Sequence, residues 1–64
     1  MFVVEITNKE TNEINYLDGQ LKLHETLDDE CKFEDYFDAN NVWINYVNEY
    51  PNYHKIFSIK IEQY

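Results

Sequence analysis

Residues 2–7 of the chain read Phe-Val-Val-Glu-Ile-Thr, and this stretch decides the class of fold. It is rich in β-branched and aromatic side chains, which favour extended backbone. Because side chains alternate along a strand, Phe2, Val4 and Ile6 lie on one side of it. The stretch therefore predicts a β-strand that buries one of its faces.

A second strand is predicted from Ile14 to Leu17, with Ile14 and Tyr16 on one face. The polar residues 8–13 between the two strands predict a β-hairpin whose link is longer than a two-residue turn. Asp18-Gly19 contains the only glycine of the chain and predicts a turn directly after the second strand.

Residues 20–37 are open to several interpretations. Leu21 and Leu23 alternate with polar residues, as in a short strand, whereas Thr26 followed by acids is typical of a helix N-cap. The pattern favours a loop followed by a short strand at residues 31–36.

A helix is predicted between Asp38 and Pro51. Asp38 is a favoured N-cap residue, and Pro51 cannot continue a helix because it has no backbone N–H to donate. Between them, large apolar side chains recur at helical spacing and form one stripe: Val42, Trp43, Tyr46, Val47 and Tyr50. The stripe predicts a helix that docks on the sheet through its aromatic side.

The last strand is predicted over residues 56–62, where Phe57, Ile59 and Ile61 face one way. The predicted order is β-β-(β)-α-β. It indicates an α+β fold in which a three- or four-stranded antiparallel sheet carries one helix on one face, because this arrangement buries both apolar sets. A chain of 64 residues has room for a single domain, residues 1–64.

The net charge is −8, from thirteen carboxylates and five lysines, and arginine is absent. This balance argues against direct binding to nucleic acid or to an anionic membrane, since both need basic side chains. No apolar run approaches the ~20 residues of a membrane span, and the N-terminus lacks the pattern of a signal peptide. With a single cysteine, these features predict a cytoplasmic protein.

The chain offers few groups for catalysis. Its one serine, Ser58, has no histidine near it in sequence, and one glycine is too few for a Walker or dinucleotide loop. Cys31 can be paired with His24 or His54, but a half-buried small residue on a strand edge is its more usual role. We therefore expect no enzymatic activity, no cofactor and no metal ion. A chain this short also leaves little room for a substrate pocket of about 300–1,000 Å³.

Residues 25–38 hold seven acids and one lysine, which is six of the eight net negative charges. A solvated loop that keeps the domain soluble explains this run. A docking surface for a basic partner explains it as well, and the aromatic residues among the acids favour docking. Tyr36 is the predicted exposed anchor, and Phe33 or Phe37 the predicted core residue. The predicted partner-binding residues are Glu25, Asp28, Asp29, Glu30, Glu34, Asp35, Tyr36 and Asp38.

The composition and plan of the chain resemble those of small acidic proteins encoded by phages of low-GC bacteria. The shared features are small size, abundant Asn, Tyr, Glu and Asp, no arginine, and a hairpin-helix-strand order. That group includes anti-CRISPR proteins and uracil-DNA glycosylase inhibitors. The resemblance implies an inhibitor acting in the host cytoplasm and assigns no residue roles.

The leading hypothesis is an acidic inhibitor or adaptor that binds a basic surface of a host protein, such as the nucleic-acid groove of a nuclease or repair enzyme. Carboxylates about 4.8 Å apart on neighbouring strands can imitate duplex DNA, which carries one charge per ~1.7 Å. The alternative is a structural or assembly module, for example a homodimer formed through the edge of the strand at 56–62 or through exposed tyrosines.

Overall fold

The computed structural model describes residues 1–52 and 57–63. It confirms the α+β fold, with one helix on one face of an antiparallel sheet. The predicted start of the last strand, Ile56, lies outside the described residues. In chain order the elements are β1 (Phe2–Asn8), β2 (Ile14–Leu17), β3 (Leu23–His24), a 3-10 turn (Asp29–Cys31), β4 (Lys32–Phe33), α1 (Tyr36–Glu49) and β5 (Phe57–Gln63).

Strand β1 is the centre of the sheet. One edge pairs with β5 along the whole strand, from Phe2 opposite Gln63 to Asn8 opposite Phe57. Two strands share the other edge: β2 pairs with residues 4–7 of β1, and the two-residue strand β4 pairs with Phe2 and Val3. Strand β3, also of two residues, extends the sheet beyond β2. All of these pairings are antiparallel.

The core lies between this sheet and α1. Val4 and Ile6 of β1 and Leu17 of β2 are fully buried, and Ala39 and Tyr46 of α1 pack into the same cluster. Partly buried side chains surround it: Phe2, Leu21, Phe33, Val42, Trp43, Phe57, Ile59 and Ile61. The predicted apolar faces of β1 and β5 therefore join the α1 residues Val42, Trp43 and Tyr46 in one core. Tyr50, predicted in the same stripe of α1, is 51 % exposed because it lies at the C-cap of the helix.

The predicted face of β2 is the outer one. Val4 stands opposite Leu17, so Leu17 shares the inner face and its neighbour Tyr16 turns outward. Ile14 is 44 % exposed as a result. The apolar side chains of Val3 and Cys31 are also buried, outside the main cluster, so Cys31 is fully buried where we expected half-burial.

The helix begins three residues earlier than predicted. Asp35 is the N-cap, with an extended backbone and a side chain that accepts a 3.0 Å hydrogen bond from the Phe37 N–H. Asp38 lies inside the first turn, so its prediction as N-cap is wrong. The end is as predicted, because Tyr50 is the C-cap and Pro51 follows it. No helix in residues 1–52 and 57–63 is long and apolar enough to cross a bilayer.

The predicted strand at 31–36 is also wrong. Only Lys32 and Phe33 are extended and paired, because β2 leaves just two residues of that edge of β1 free. Thr26 is not a helix N-cap, since the 3-10 turn that follows begins at Asp29. Leu21 has a positive φ of 64° and lies in the turn before β3 rather than in a strand.

We expect Ile6→Ala to destabilise the domain by about 2–5 kcal/mol, because it leaves a cavity beside the buried face of β1. Ile14→Ala is the matched control, since the same atoms are removed from an exposed site on β2. Urea denaturation of both variants measures the difference. Equal losses for the two variants would contradict the assignment of inner and outer faces.

Candidate functional site

The structure divides the acidic stretch 25–38 into two groups. One group surrounds a histidine on β3, and we call Asp18, His24, Asp28 and Glu30 the His24 cluster. The other lies at the start of α1, and we call residues 34–38 (Glu34, Asp35, Tyr36, Phe37 and Asp38) the acidic aromatic patch. Two predicted residues belong to neither group: Glu25 and Asp29.

Exposed aromatic rings define the acidic aromatic patch. Tyr36 is 49 % exposed, as predicted for an anchor. Of the two residues offered for the core, Phe33 packs against it, whereas Phe37 is 71 % exposed. The Tyr36 ring meets Phe2 edge-on, with centroids 5.8 Å apart, and meets Phe37 at 6.4 Å. Tyr36 is thus held from both sides, whereas Phe37 projects into solvent.

The carboxylates of the patch differ in what they contact. Asp35 is used as the helix N-cap. The Glu34 and Asp38 carboxylates form no hydrogen bond or ion pair with any described residue, and the same holds for the exposed Glu25 carboxylate. Asp29 lies 3.4 Å from the Lys32 ammonium and is partly neutralised by it. Glu34 and Asp38 are therefore the patch carboxylates that a cationic partner would find unpaired.

An open groove continues from Tyr36 between α1 and β5. It has a volume of about 560 Å³, and Trp43, Val47, Phe57 and Ile59 are among its lining residues. The indole N–H of Trp43 donates to the Asn40 side-chain oxygen at 2.8 Å, so its polar atom is satisfied. The domain thus has a concave surface of a size that we expected such a short chain to lack.

The His24 cluster joins the β2–β3 turn to the 3-10 turn. Nε2 of His24 lies 2.7 Å from Asp18 Oδ2 and 3.8 Å from Glu30 Oε2. Nδ1 of the same ring lies 2.9 Å from Asp28 Oδ2. The buried Asp18 carboxylate also accepts hydrogen bonds from the backbone N–H groups of Gln20 and Lys22, at 2.8 and 3.0 Å. Both ring nitrogens of His24 therefore face carboxylates.

These contacts shift two pKa values in opposite directions. Burial alone would raise the pKa of Asp18, but the hydrogen bonds from His24 and the two backbone N–H groups outweigh it and lower that pKa. Hydrogen bonds to Asp18 first, and to Asp28 second, raise the pKa of His24. The cluster thus favours an imidazolium that donates from both nitrogens.

Cys31 is poorly placed for chemistry. Burial raises the pKa of its thiol, and the nearby Asp18, Asp28 and Glu30 charges raise it further. Its Sγ is 3.8 Å from the Tyr16 carbonyl oxygen, which makes at most a weak hydrogen bond. His24 is engaged by carboxylates, and the other predicted partner, His54, lies outside the described residues. The thiol is therefore a weak nucleophile at neutral pH.

Asp18 and His24 were missed as site residues. The sequence pattern indicates Asp18 as a turn residue, and it offers His24 as a partner of Cys31 or as a pH-sensitive contact without selecting it over His54. The spacing of these two site residues from each other and from Glu30, six residues in each step, does not match one face of a helix, and the Asp18-Gly19 turn breaks any single strand that could align them. The available signal was the turn dipeptide Asp18-Gly19 ahead of a histidine, which indicates a short hairpin that returns to the aspartate.

No protein-family model, curated protein or solved structure matches this chain. The two groups of side chains just described are therefore the features from which a function can be inferred.

We expect Asp35→Ala to cost about 0.5–2 kcal/mol of stability, because the Phe37 N–H loses its acceptor. Asp38→Ala should cost less, about 0.3–1 kcal/mol, because it removes only a favourable charge near the helix N-terminus. Urea denaturation measures both. A larger loss of stability for the Asp38 variant would indicate that Asp38, and not Asp35, is the N-cap residue.

Replacing His24 with Gln should remove a pH-dependent part of the stability. Because the folded-state pKa of His24 is raised, its contribution is fully present below about pH 6.5 and is lost as pH rises through the raised value. The lowered pKa of Asp18 acts in the opposite sense. Its contribution to stability is fully present above about pH 3.9 and is lost as pH falls through the lowered value.

The measurement is the urea midpoint of wild type minus that of His24→Gln across the pH range. The difference should be largest in the weakly acidic window between those limits and shrink towards alkaline pH. An Asp18→Asn variant serves as the control for the acidic limb. A pH-independent difference would contradict the imidazolium pairing.

Proposed function

We propose that this chain is a small acidic inhibitor or adaptor that binds a basic surface of a host protein through the acidic aromatic patch. The target that suits it best is the nucleic-acid groove of a nuclease or other DNA-handling enzyme. The observation that carries the proposal is the exposed Phe37 ring beside Tyr36, flanked by the unpaired carboxylates of Glu34 and Asp38.

The chemistry of the patch suits lysine and arginine side chains. The apolar stem of a partner's lysine can lie against the Tyr36 and Phe37 rings while its ammonium reaches Glu34 or Asp38. An arginine can stack its guanidinium on the same rings. The groove next to Tyr36 adds apolar surface for a side chain that flanks the basic group.

Inhibition would follow because this chain occupies the nucleic-acid groove of the partner. A basic nucleic-acid groove attracts a chain of net charge −8 over long range, which speeds association and makes its rate depend on salt. The aromatic contacts then slow dissociation, since rings buried at an interface carry much of the binding energy. A protein held in this way excludes nucleic acid from the groove sterically and electrostatically.

The test is capture of the partner from a host lysate on the immobilised chain, with elution by a salt gradient, followed by kinetics on the purified partner. We expect Phe37→Ala to weaken binding about tenfold or more, as for an interface hot spot. Glu34→Gln/Asp38→Asn should slow association and flatten its salt dependence. Both variants leave the Asp35 cap intact.

The matched control is Glu10→Gln/Glu13→Gln, which removes the same charge from the exposed link between β1 and β2. It should leave binding nearly unchanged if the patch is the docking surface. Equal losses in the two charge variants, or an association rate that does not respond to salt, would contradict the proposal. Failure of a short DNA duplex to compete would exclude the nucleic-acid groove as the target.

A second candidate function is assembly into a homo-oligomer through β5. Within the described ranges no strand pairs with the outer edge of β5, so seven residues of backbone there are open to another strand. Sedimentation over a range of concentrations distinguishes the two functions. A monomer of 7.8 kDa at all concentrations would exclude assembly, and a tight dimer unaffected by Glu34→Gln/Asp38→Asn would favour it.

A further inference from the structure

The His24 cluster holds more negative charge than one imidazole can balance. Asp18, Asp28 and Glu30 surround a single ring, and Asp18 is only 4 % exposed. A neutral imidazole carries one proton. If Nδ1–H donates to Asp28, the Nε2 lone pair faces a carboxylate oxygen of Asp18 at 2.7 Å. With this tautomer, the contact requires a cation between the two atoms, either a second proton or a metal ion. The other tautomer, in which Nε2–H donates to Asp18, leaves the Nδ1 lone pair facing Asp28 instead.

The positions of the three side chains suit a metal ion. Nε2 of His24 and one carboxylate oxygen each from Asp18 and Glu30 lie within 4.8 Å of one another. Tetrahedral bonds of ~2.1 Å would separate such ligand atoms by roughly 3.4 Å, which lies inside that spread. Asp18 and His24 would have to part slightly, and Glu30, whose side chain is 75 % exposed, is free to close in.

Two features prepare this arrangement. Asp28 holds Nδ1 at 2.9 Å, which fixes the ring so that Nε2 points to Asp18 and Glu30; metal-binding histidines usually have such a carboxylate or carbonyl partner. The backbone N–H groups of Gln20 and Lys22 hold Asp18 Oδ1, which leaves Oδ2 directed at the ring. A cavity of about 340 Å³, lined by Asp18, Gly19, Gln20 and Glu30, gives room for entry and for water ligands.

We propose that Asp18, His24 and Glu30 bind one divalent transition-metal ion of the Zn²⁺ type, with Asp28 orienting the histidine. The nitrogen ligand favours Zn²⁺ and its neighbours over Ca²⁺ and Mg²⁺, which select oxygen sets. The ion would take the place of the second proton on His24. It would join the β2–β3 turn to the 3-10 turn, and it would stabilise a domain too small to build a large core.

The experiment uses the untagged full chain, stripped with a chelator and titrated with ZnCl₂ by calorimetry and thermal unfolding. We expect one ion per chain and a rise in the unfolding midpoint. Affinity should fall as pH is lowered, because protons compete with the metal ion for His24. Asp28→Asn should weaken binding about 10–100-fold, as loss of an orienting partner does, and His24→Gln should abolish it.

Asp29→Asn is the matched control, because it removes a neighbouring carboxylate that pairs with Lys32 outside the cluster. It should leave the affinity for Zn²⁺ unchanged. Glu30→Gln, at an exposed site, keeps the test decisive if His24→Gln fails to fold. No midpoint shift with Zn²⁺, or equal binding by Glu30→Gln and wild type, would overturn the proposal and leave His24 as a site for protons only.

Discussion

The pairing of β1 along both of its edges is the constraint on which the rest of the structure depends. With β5 on one side and β2 on the other, β1 is the central strand, and its side chains Val4 and Ile6 are fully buried between the sheet and α1. Because β2 takes residues 4–7, β4 can add only two pairs beside Phe2 and Val3. The chain leaves β4 and enters α1 within three residues, so the helix starts close to Phe2.

The position of the acidic aromatic patch follows from this register. The edge-on contact between Phe2 and Tyr36 is possible because the first residue of α1 comes next to the first residue of β1. The His24 cluster depends on the same sheet one strand further out, where His24 stands opposite Tyr16. There the Asp18 carboxylate holds both the turn backbone and the imidazole.

Periodicity predicted what is long and repetitive, and failed where short contacts decide the structure. The strands at 2–7 and 14–17, the aromatic stripe of α1 and its end before Pro51 could all be read from spacing. The strands β3 and β4 are only two residues long, which is too short for any period to show. Their pairing follows from the edges left open by β1 and β2, and that information is tertiary.

The site shows the same division. The exposure of Tyr36 could be predicted from its acidic neighbours. The exposure of Phe37 could not, because it depends on the residue at which α1 begins. Asp35 and Asp38 are equally good N-cap residues by type, and only the backbone geometry distinguishes them. The His24 cluster unites residues from two turns and β3, so no local pattern could have brought them together.

Charge and aromatic content do not weigh equally in the docking argument. Acids in the first turn of a helix stabilise it by interacting with the partial positive charge of its N-terminus, so Asp35 and Asp38 have a use without any partner. The His24 cluster likewise gives Asp18 and Asp28 a structural use. A helix start gains nothing comparable from a phenylalanine that is 71 % exposed. A partner that covers the ring removes its apolar area from water, and this burial favours binding. Solvated carboxylates alone do not contribute hydrophobic binding energy of this kind. The exposed ring of Phe37, more than the net charge, therefore argues for a binding surface at the start of α1.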